Sequence, residues 1–345
     1  MAADRTHQAE IAILIYPQCQ LSAVHGLSDL FRIANEWAMR DRAPQERAVI
    51  RVSHWQCQPS SVPGDEGEVV CVWDSHPRLD HRLDFIIAPP SIAMPEDLAA
   101  MPVAAQWLKT QHRAGSIIAS VCAGAFVLGE SGLINGRKVT THWAFADQLA
   151  QRFPKVDVAC EYMIVDDGDI ITAGAILAWT DLGLTLVQRL MGREAMLATA
   201  RFLLTEPPRQ RQAPFREFLA RFDHGDSVIL SVQHHLHAKS EQTQNIEDLA
   251  AMAGMGARTF MRRFAKATGQ RPTEYLQHVR IAKARESLEQ TRLPIEHLAY
   301  QVGYHDPSAF RKIFHKLVGM RPSEYRKRFG TQARQDALTG DEASL

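Results

Sequence analysis

Gly303-Tyr304-His305-Asp306-Pro307-Ser308-Ala309-Phe310-Arg311-Lys312-Ile313-Phe314 reads as a glycine bend followed at once by a helix, and this stretch decides the fold of the last third of the chain. Gly303 supplies the left-handed backbone that a tight interhelical turn needs. Asp306 can cap the new helix, and Pro307 fits its first turn, where a missing N–H costs nothing. Phe310 and Phe314 stand one helical turn apart and predict a buried stripe. Ser308, Arg311, Lys312 and Lys316 fall on the opposite face.

The same grammar occurs a second time. Gly254, Phe260, Phe264, Gly269, Arg271, Pro272, Glu274 and Tyr275 recur as Gly303, Phe310, Phe314, Gly319, Arg321, Pro322, Glu324 and Tyr325, with an offset of 49 residues at the glycine and 50 after it. One helix-turn-helix unit has been used twice, with a single insertion. In the first copy, Asn245 and Asp248 form a capping signature ahead of Leu249, Ala250 and Ala253. Gly254 makes the bend, and the next helix buries Phe260 and Phe264 while exposing Arg258, Met261, Arg262 and Lys266. Charge follows the repeat. Residues 226 to 330 hold 17 Lys+Arg against 10 Asp+Glu, and the rest of the chain holds 22 against 29, so a net charge of zero hides a basic module beside an acidic one. Such a balance is the electrostatic footprint of phosphate binding.

The run Pro294-Ile295-Glu296-His297-Leu298-Ala299-Tyr300-Gln301-Val302-Gly303-Tyr304, with Ser308, Phe310, Arg311, Phe314, Lys316, Gly319 and Pro322-Ser323-Glu324-Tyr325-Arg326, resembles the signature of AraC-type transcription regulators over about residues 226 to 328. The resemblance implies an all-α domain in which a long helix, here about Thr273 to Gln290, joins the two units. It also implies that their second helices enter successive major grooves of double-stranded DNA. By position, the base-facing residues are Arg258, Met261 and Arg262 in the first unit and Ser308, Arg311 and Lys312 in the second. Met261 departs from the family's usual polar residue and suits contact with thymine methyl groups.

The earlier two-thirds of the chain differs in kind. The whole chain's 345 residues and 46% hydrophobic content accommodate two domains with real cores. Ile11 to Ile15, Val49 to Trp55, Phe85 to Ala88, Ile117 to Val121 and Ile170 to Ala173 read as strands buried on both faces. Leu21 to Arg40, Pro95 to Ala114, Ala123 to Ser131, Trp143 to Phe153 and Thr180 to Met191 read as helices. The alternation predicts an α/β sandwich around a mainly parallel sheet, with ligands beyond the carboxyl ends of the strands. Pro207, Pro208 and Pro214 mark a linker over 206–225. The expected organisation is a sensing domain over 9–205, that linker, a DNA-binding domain over 226–330 and a mobile polar tail over 331–345.

Ile117-Ile118-Ala119-Ser120-Val121-Cys122-Ala123-Gly124 has the layout of a nucleophile elbow: a buried strand, a cysteine, small neighbours and a helix whose N-terminus favours a thiolate. Together with Gly132-Leu133-Ile134-Asn135-Gly136-Arg137-Lys138-Val139-Thr140-Thr141-His142-Trp143 and Asp167-Gly168-Asp169-Ile170-Ile171-Thr172-Ala173-Gly174, it resembles the class I glutamine amidotransferase-like superfamily of PfpI type over about residues 9 to 192. Catalytic members of that superfamily pair the cysteine, here Cys122, with a histidine, here His142, and many add a carboxylate on the first helix. Ala23 matches that last position, which favours a binding pocket over hydrolase, hydratase or glyoxalase chemistry. Both resemblances together imply the GlxA-like architecture, a sensor followed by a reader.

The pocket is expected to be lined by Cys122, Ala123, His142 and Trp143. Backbone N–H groups after Cys122 would receive an anionic group, and the Trp143 ring would receive a cation, as in an amino acid or a quaternary ammonium metabolite. The partners this implies are duplex DNA, a small-molecule effector, RNA polymerase if the protein activates, and a second copy of the chain. The alternative is an enzyme, amidase, hydratase or glyoxalase-like, using Cys122 and His142. Five cysteines without framework spacing and no signal peptide point to the cytoplasm. No cofactor, metal site or membrane span is expected, the cluster of His234, His235 and His237 included.

Overall fold

A computed structural model describes residues 9–37, 40, 49–58 and 67–331, which form two compact units dividing between Gln212 and Ala213. The first is built on a seven-stranded sheet of order β3-β2-β1-β4-β5-β9-β8. Its members are β1 (Ala9–Ile15), β2 (Ile50–Gln58), β3 (Glu68–Asp74), β4 (Phe85–Ala88), β5 (Ile117–Val121), β8 (Ile164–Asp166) and β9 (Ile170–Ala173); the short pair β6 (Lys138–Val139) and β7 (Asp157–Val158) lies apart from it. The five central strands run parallel, and the two edges β3 and β8 run antiparallel to their neighbours. The sheet is therefore mainly parallel, as the uninterrupted apolar runs predict, and β4 and β9 are buried at every position.

Chain direction sets the layers. From β1 the chain passes through α1 (Leu21–Trp37) to β2 on one side, whereas from β4 it passes through α2 (Pro102–Arg113) to β5 on the other. Right-handed crossovers then put α1 and α2 on opposite faces. Helices α5 (Trp179–Met191) and α6 (Arg193–Phe202) pack with α1, and α3 (Gly124–Ser131) packs with α2 and α4 (Ala146–Arg152). The order reverses between β1 and β4, so a crevice opens beyond their carboxyl ends.

Several expectations are corrected. The helix predicted over 95–114 splits into a short 3-10 turn, Pro95–Asp97, and α2, because Pro102 holds Met101 out of the helical region. The one predicted over 143–153 opens as a 3-10 turn, Trp143–Phe145, before α4. Strand β3 and helix α6 were not foreseen. The predicted end of α1 at Arg40 runs through residues 38 and 39, and the tail from 332 onward lies likewise outside the described residues.

A charged cluster at the opposite, amino-terminal end of the sheet was also not foreseen. Arg51 on β2 is fully buried, with Nη1 3.2 Å from Glu10 and Nη2 2.5 Å from Asp74. Its remaining donors reach the Asp80 and Leu79 carbonyls. A buried arginine is tolerable only when its donors are satisfied in this way.

The second unit is all helix: α7 (Ser227–Ala238), α8 (Ile246–Met252), α9 (Ala257–Thr268), the long α10 (Pro272–Gln290), α11 (Ile295–Gln301), α12 (Pro307–Val318) and α13 (Pro322–Phe329). Phe260 and Phe264 anchor one core, Phe310 and Phe314 the other, and α10 contributes to both. Asn245 and Asp306 cap α8 and α12 as their positions predict. Before α7, the chain is tied down by Arg285, which donates to the Pro214 and Arg216 carbonyls, and by Phe218, whose ring stacks on His278 at 5.1 Å.

Candidate functional site

The faces of α9 and α12 lie where the repeat puts them. Phenylalanine pairs fix each helix to its core, so Arg258, Met261 and Arg262 on α9, and Ser308, Arg311 and Lys312 on α12, all come out exposed. Among the described residues, Arg258 and Arg262 make no ion pair, so their guanidinium groups are available to a partner. Arg311 instead pairs with Glu296 on α11. Both members of that pair are about half exposed, and such a pair is weak enough to give way to a ligand.

The carboxyl ends of β1, β4, β5 and β9 form the other candidate region. Cys122 follows β5 with φ of +54°, and Gln18 follows β1 with φ of +62°. Left-handed backbone costs a side-chain-bearing residue about 1–2 kcal/mol, so the surroundings must enforce it. They do. The Cys122 N–H donates to the Ala173 carbonyl at 2.8 Å, and its own carbonyl accepts from the Thr141 hydroxyl at 2.8 Å. Gly124 allows the helix to start against β4, because a Cβ there would stand 2.4 Å from the Ala88 carbonyl oxygen. The elbow read from sequence is therefore present.

Its electrostatics differ from expectation. Cys122 is 1% exposed, and burial pushes its thiol up to about 12, although the backbone N–H groups of Ala123 and His142 point at the sulfur. Desolvation outweighs the helix start, and the thiol stays protonated at neutral pH. Ala123 is also fully buried, and its N–H, one of those expected to receive an anion, is turned toward the sulfur instead. The His142 ring faces other work: its Nδ1 accepts the Ala144 N–H at 3.1 Å, which puts the proton on Nε2, and burial lowers its pKa. The first turn of α1 carries no acidic residue, and Ala23 is buried in the core. Tyr16, buried close to Cys122 and Cys19, donates instead to the Pro89 carbonyl at 2.5 Å.

Half-buried His142 and Trp143 form the accessible part of the predicted pocket, their rings 5.3 Å apart. Around the same strand ends, Leu21 at the start of α1 and Ile92 and Leu177 on two loops are 56%, 70% and 56% exposed and form an apolar rim. Bonded to the Trp143 backbone is a residue that sequence reasoning missed. Gln212 is almost fully buried; its amide donates to the Thr140 hydroxyl and to the Thr141 and Tyr162 carbonyls, and its oxygen accepts the Trp143 N–H at 3.1 Å. Gly174 makes room for it, since a Cβ there would lie 2.1 Å from the Gln212 amide nitrogen. In the sequence Gln212 is one polar residue in a stretch that reads as linker, so no local signal marks it. Among the described residues there is no group of three or more His, Cys, Asp or Glu arranged to hold a metal, and no helix long and apolar enough to cross a membrane.

Comparison with known proteins agrees with this division. The DJ-1/PfpI family matches residues 45–189, and a helix-turn-helix domain matches residues 249–328. The chain is 27% identical over 238 residues to the HTH-type transcriptional regulator GlxA of Rhizobium meliloti (strain 1021), covering 69% of this chain and 73% of that protein. It is 26% identical over 229 residues to the HTH-type transcriptional regulator CdhR of Pseudomonas aeruginosa, covering 66% and 68%. A shorter match, 38% identical over 87 residues, relates it to the isonitrile hydratase of Pseudomonas putida, covering 25% and 36%. Fold and matches define a DNA-binding transcription regulator whose first unit is a PfpI-like sensing domain. The chain joins a DJ-1/PfpI domain to an AraC-type helix-turn-helix domain and is similar over about two-thirds of its length to the regulators named GlxA and CdhR.

Proposed function

We propose that the protein is a metabolite-controlled transcriptional activator that works as a homodimer in the cytoplasm. The observation that carries the reading is the pair of exposed faces on α9 and α12, held at equivalent positions by equivalent phenylalanines and bearing Arg258, Arg262, Arg311 and Lys312. Arg258, Met261 and Arg262 read one major groove; Ser308, Arg311 and Lys312 read the next. Arg262→Ala and Arg311→Ala should each weaken binding to a selected operator by about ten- to hundredfold and relax discrimination at different base positions. Equal weakening on every sequence would make them phosphate contacts and end the base-reading assignment.

Effector control is placed at the carboxyl ends of the strands, with His142 and Trp143 in the wall and the apolar rim above. The sealed, protonated Cys122 favours binding over chemistry. Its strained backbone serves to shape the wall, and Gln212 links that wall to the chain leaving the unit. An effector acts by binding one arrangement of this wall more tightly than another. The ligand class proposed is an amino acid or quaternary ammonium metabolite, with Trp143 as the cation's partner. Activation implies contact with RNA polymerase, and two copies let each reader occupy one half-site. Cys122→Ser should retain effector-dependent transcription. Turnover of a metabolite by the purified protein, lost together with regulation in that variant, would favour the enzyme reading.

A further inference from the structure

Beside the base-reading face of α9 lies an open groove of about 680 Å³, bordered by the segment that precedes α7 and by Arg262, Arg263 and Lys266 of α9. Two of its lining residues, Arg221 and His224, are held from behind. Gln233, fully buried on α7, donates to the Arg221 carbonyl at 2.9 Å and to the Tyr275 hydroxyl at 3.0 Å, and its oxygen pairs with His224 Nε2 at 2.7 Å. The Asp226 N–H donates to His224 Nδ1 at 3.1 Å, so both nitrogens of that ring are occupied. Arg263 is likewise committed, donating twice to Asp226 at 2.6 and 3.0 Å. Three cations remain: Arg262 and Lys266, without an ion pair among the described residues, and Arg221, 3.9 Å from Asp223.

We propose that this groove binds a phosphate of the DNA backbone, with Arg221 and Lys266 as its contacts and Arg262 shared between phosphate and base. The proposal rests on the reading of α9 as a DNA-reading helix. The groove adjoins the base-facing surface through Arg262, where the sugar-phosphate strand flanking an occupied major groove runs. The buried Gln233 anchor holds the Arg221 backbone in place, so the guanidinium starts from a fixed base and less freedom is lost on binding. The second copy keeps two of the α9 cations, as lysines, and loses the arginine that pairs with Asp226. The positions of Thr259, Arg262, Arg263 and Lys266 are taken there by Ala309, Lys312, Ile313 and Lys316.

Phosphate contacts are blind to sequence, so the probe is a mixed-sequence duplex spanning two helical turns, titrated with the full chain at increasing chloride. Arg221→Gln and Lys266→Gln should each weaken binding by about three- to tenfold at low salt and reduce the slope of log K against log salt by about one, while Arg221→Lys keeps the slope. Unchanged slopes in both Gln variants, with the parent chain still binding in a salt-dependent way, would overturn the groove assignment and leave α9 as a reader. No salt-dependent binding by the parent chain would overturn the reading of α9, and the proposal with it. Inorganic phosphate separates the duplex from a free anion. Displacement no stronger than that by chloride of equal ionic strength supports the backbone ester; stronger displacement, lost in Arg221→Gln, assigns the groove to a small anion and overturns the proposal.

Discussion

The two helix-turn-helix copies share their phenylalanines, helix-ending glycines and closing tyrosines, yet they differ where the single insertion falls. In the first copy, Gly254 bends at φ of +65° into open space, and α9 starts from Gly256 with no side-chain cap. In the second, Gly303 bends at φ of +93°, Tyr304 is buried against Phe310, and Asp306 caps α12 by accepting from Ser308 and Ala309. A Cβ on Gly303 would stand 2.7 Å from the Glu241 carbonyl oxygen and 3.0 Å from the Arg280 guanidinium carbon. The same motif therefore uses one glycine for its backbone angle alone, and the other for angle and space together. Surface chemistry diverges too. Arg311 pairs with Glu296, whereas its counterpart Met261 leaves Glu247 without that partner.

The largest test of the comparison concerns what the copies share. Phe264→Ala and Phe314→Ala each remove a fully buried ring and should each cost about 3–5 kcal/mol in urea unfolding of the second unit. Amide hydrogen exchange would sharpen the result. Phe264→Ala should loosen α8 and α9 first, and Phe314→Ala should loosen α11 and α12 first, because each ring belongs to its own core. Equal loosening of both copies by either change would make them one cooperative body through α10.

A smaller effect isolates the difference. Gly303→Ala should cost about 2–4 kcal/mol, since it combines left-handed strain with a backbone collision. Gly254→Ala meets only the strain, about 1–2 kcal/mol. Matching losses in the two variants would mean that the chain around Glu241 yields, and that the insertion gives Gly303 no special role.

Legibility followed the range of the physical forces involved. The helix-turn-helix copies were readable because bends, caps and i,i+4 pairs act within a few residues, and Asp306, Asn245, Gly254 and Gly303 behave as their local chemistry predicts. The parallel sheet was readable because strands buried on both faces have no polar alternation. The elbow at Cys122 was readable as shape, from its small neighbours. Its titration was not, since the helix start argued for a thiolate and only the packed core around the sulfur reverses that. Strand β3 was missed although Val69 to Trp73 form a continuous apolar run; what only the fold shows is that this run is a half-exposed edge strand paired antiparallel to β2. The Arg51 cluster joins residues as far apart as Glu10 and His81, beyond the reach of any sequence window.

By itself, then, the sequence determined the two modules, the doubled reader with its exposed residues, and the place of the elbow, all of which rest on periodicity and short-range hydrogen bonding. Tertiary structure alone decided that Cys122 is sealed and protonated, that buried Gln212 bonds to the backbone of Thr141 and Trp143, and that Arg221 stands in a groove beside α9. Desolvation and the pairing of distant polar groups depend on what the folded chain brings together, and neither is encoded in the spacing of neighbours along the sequence.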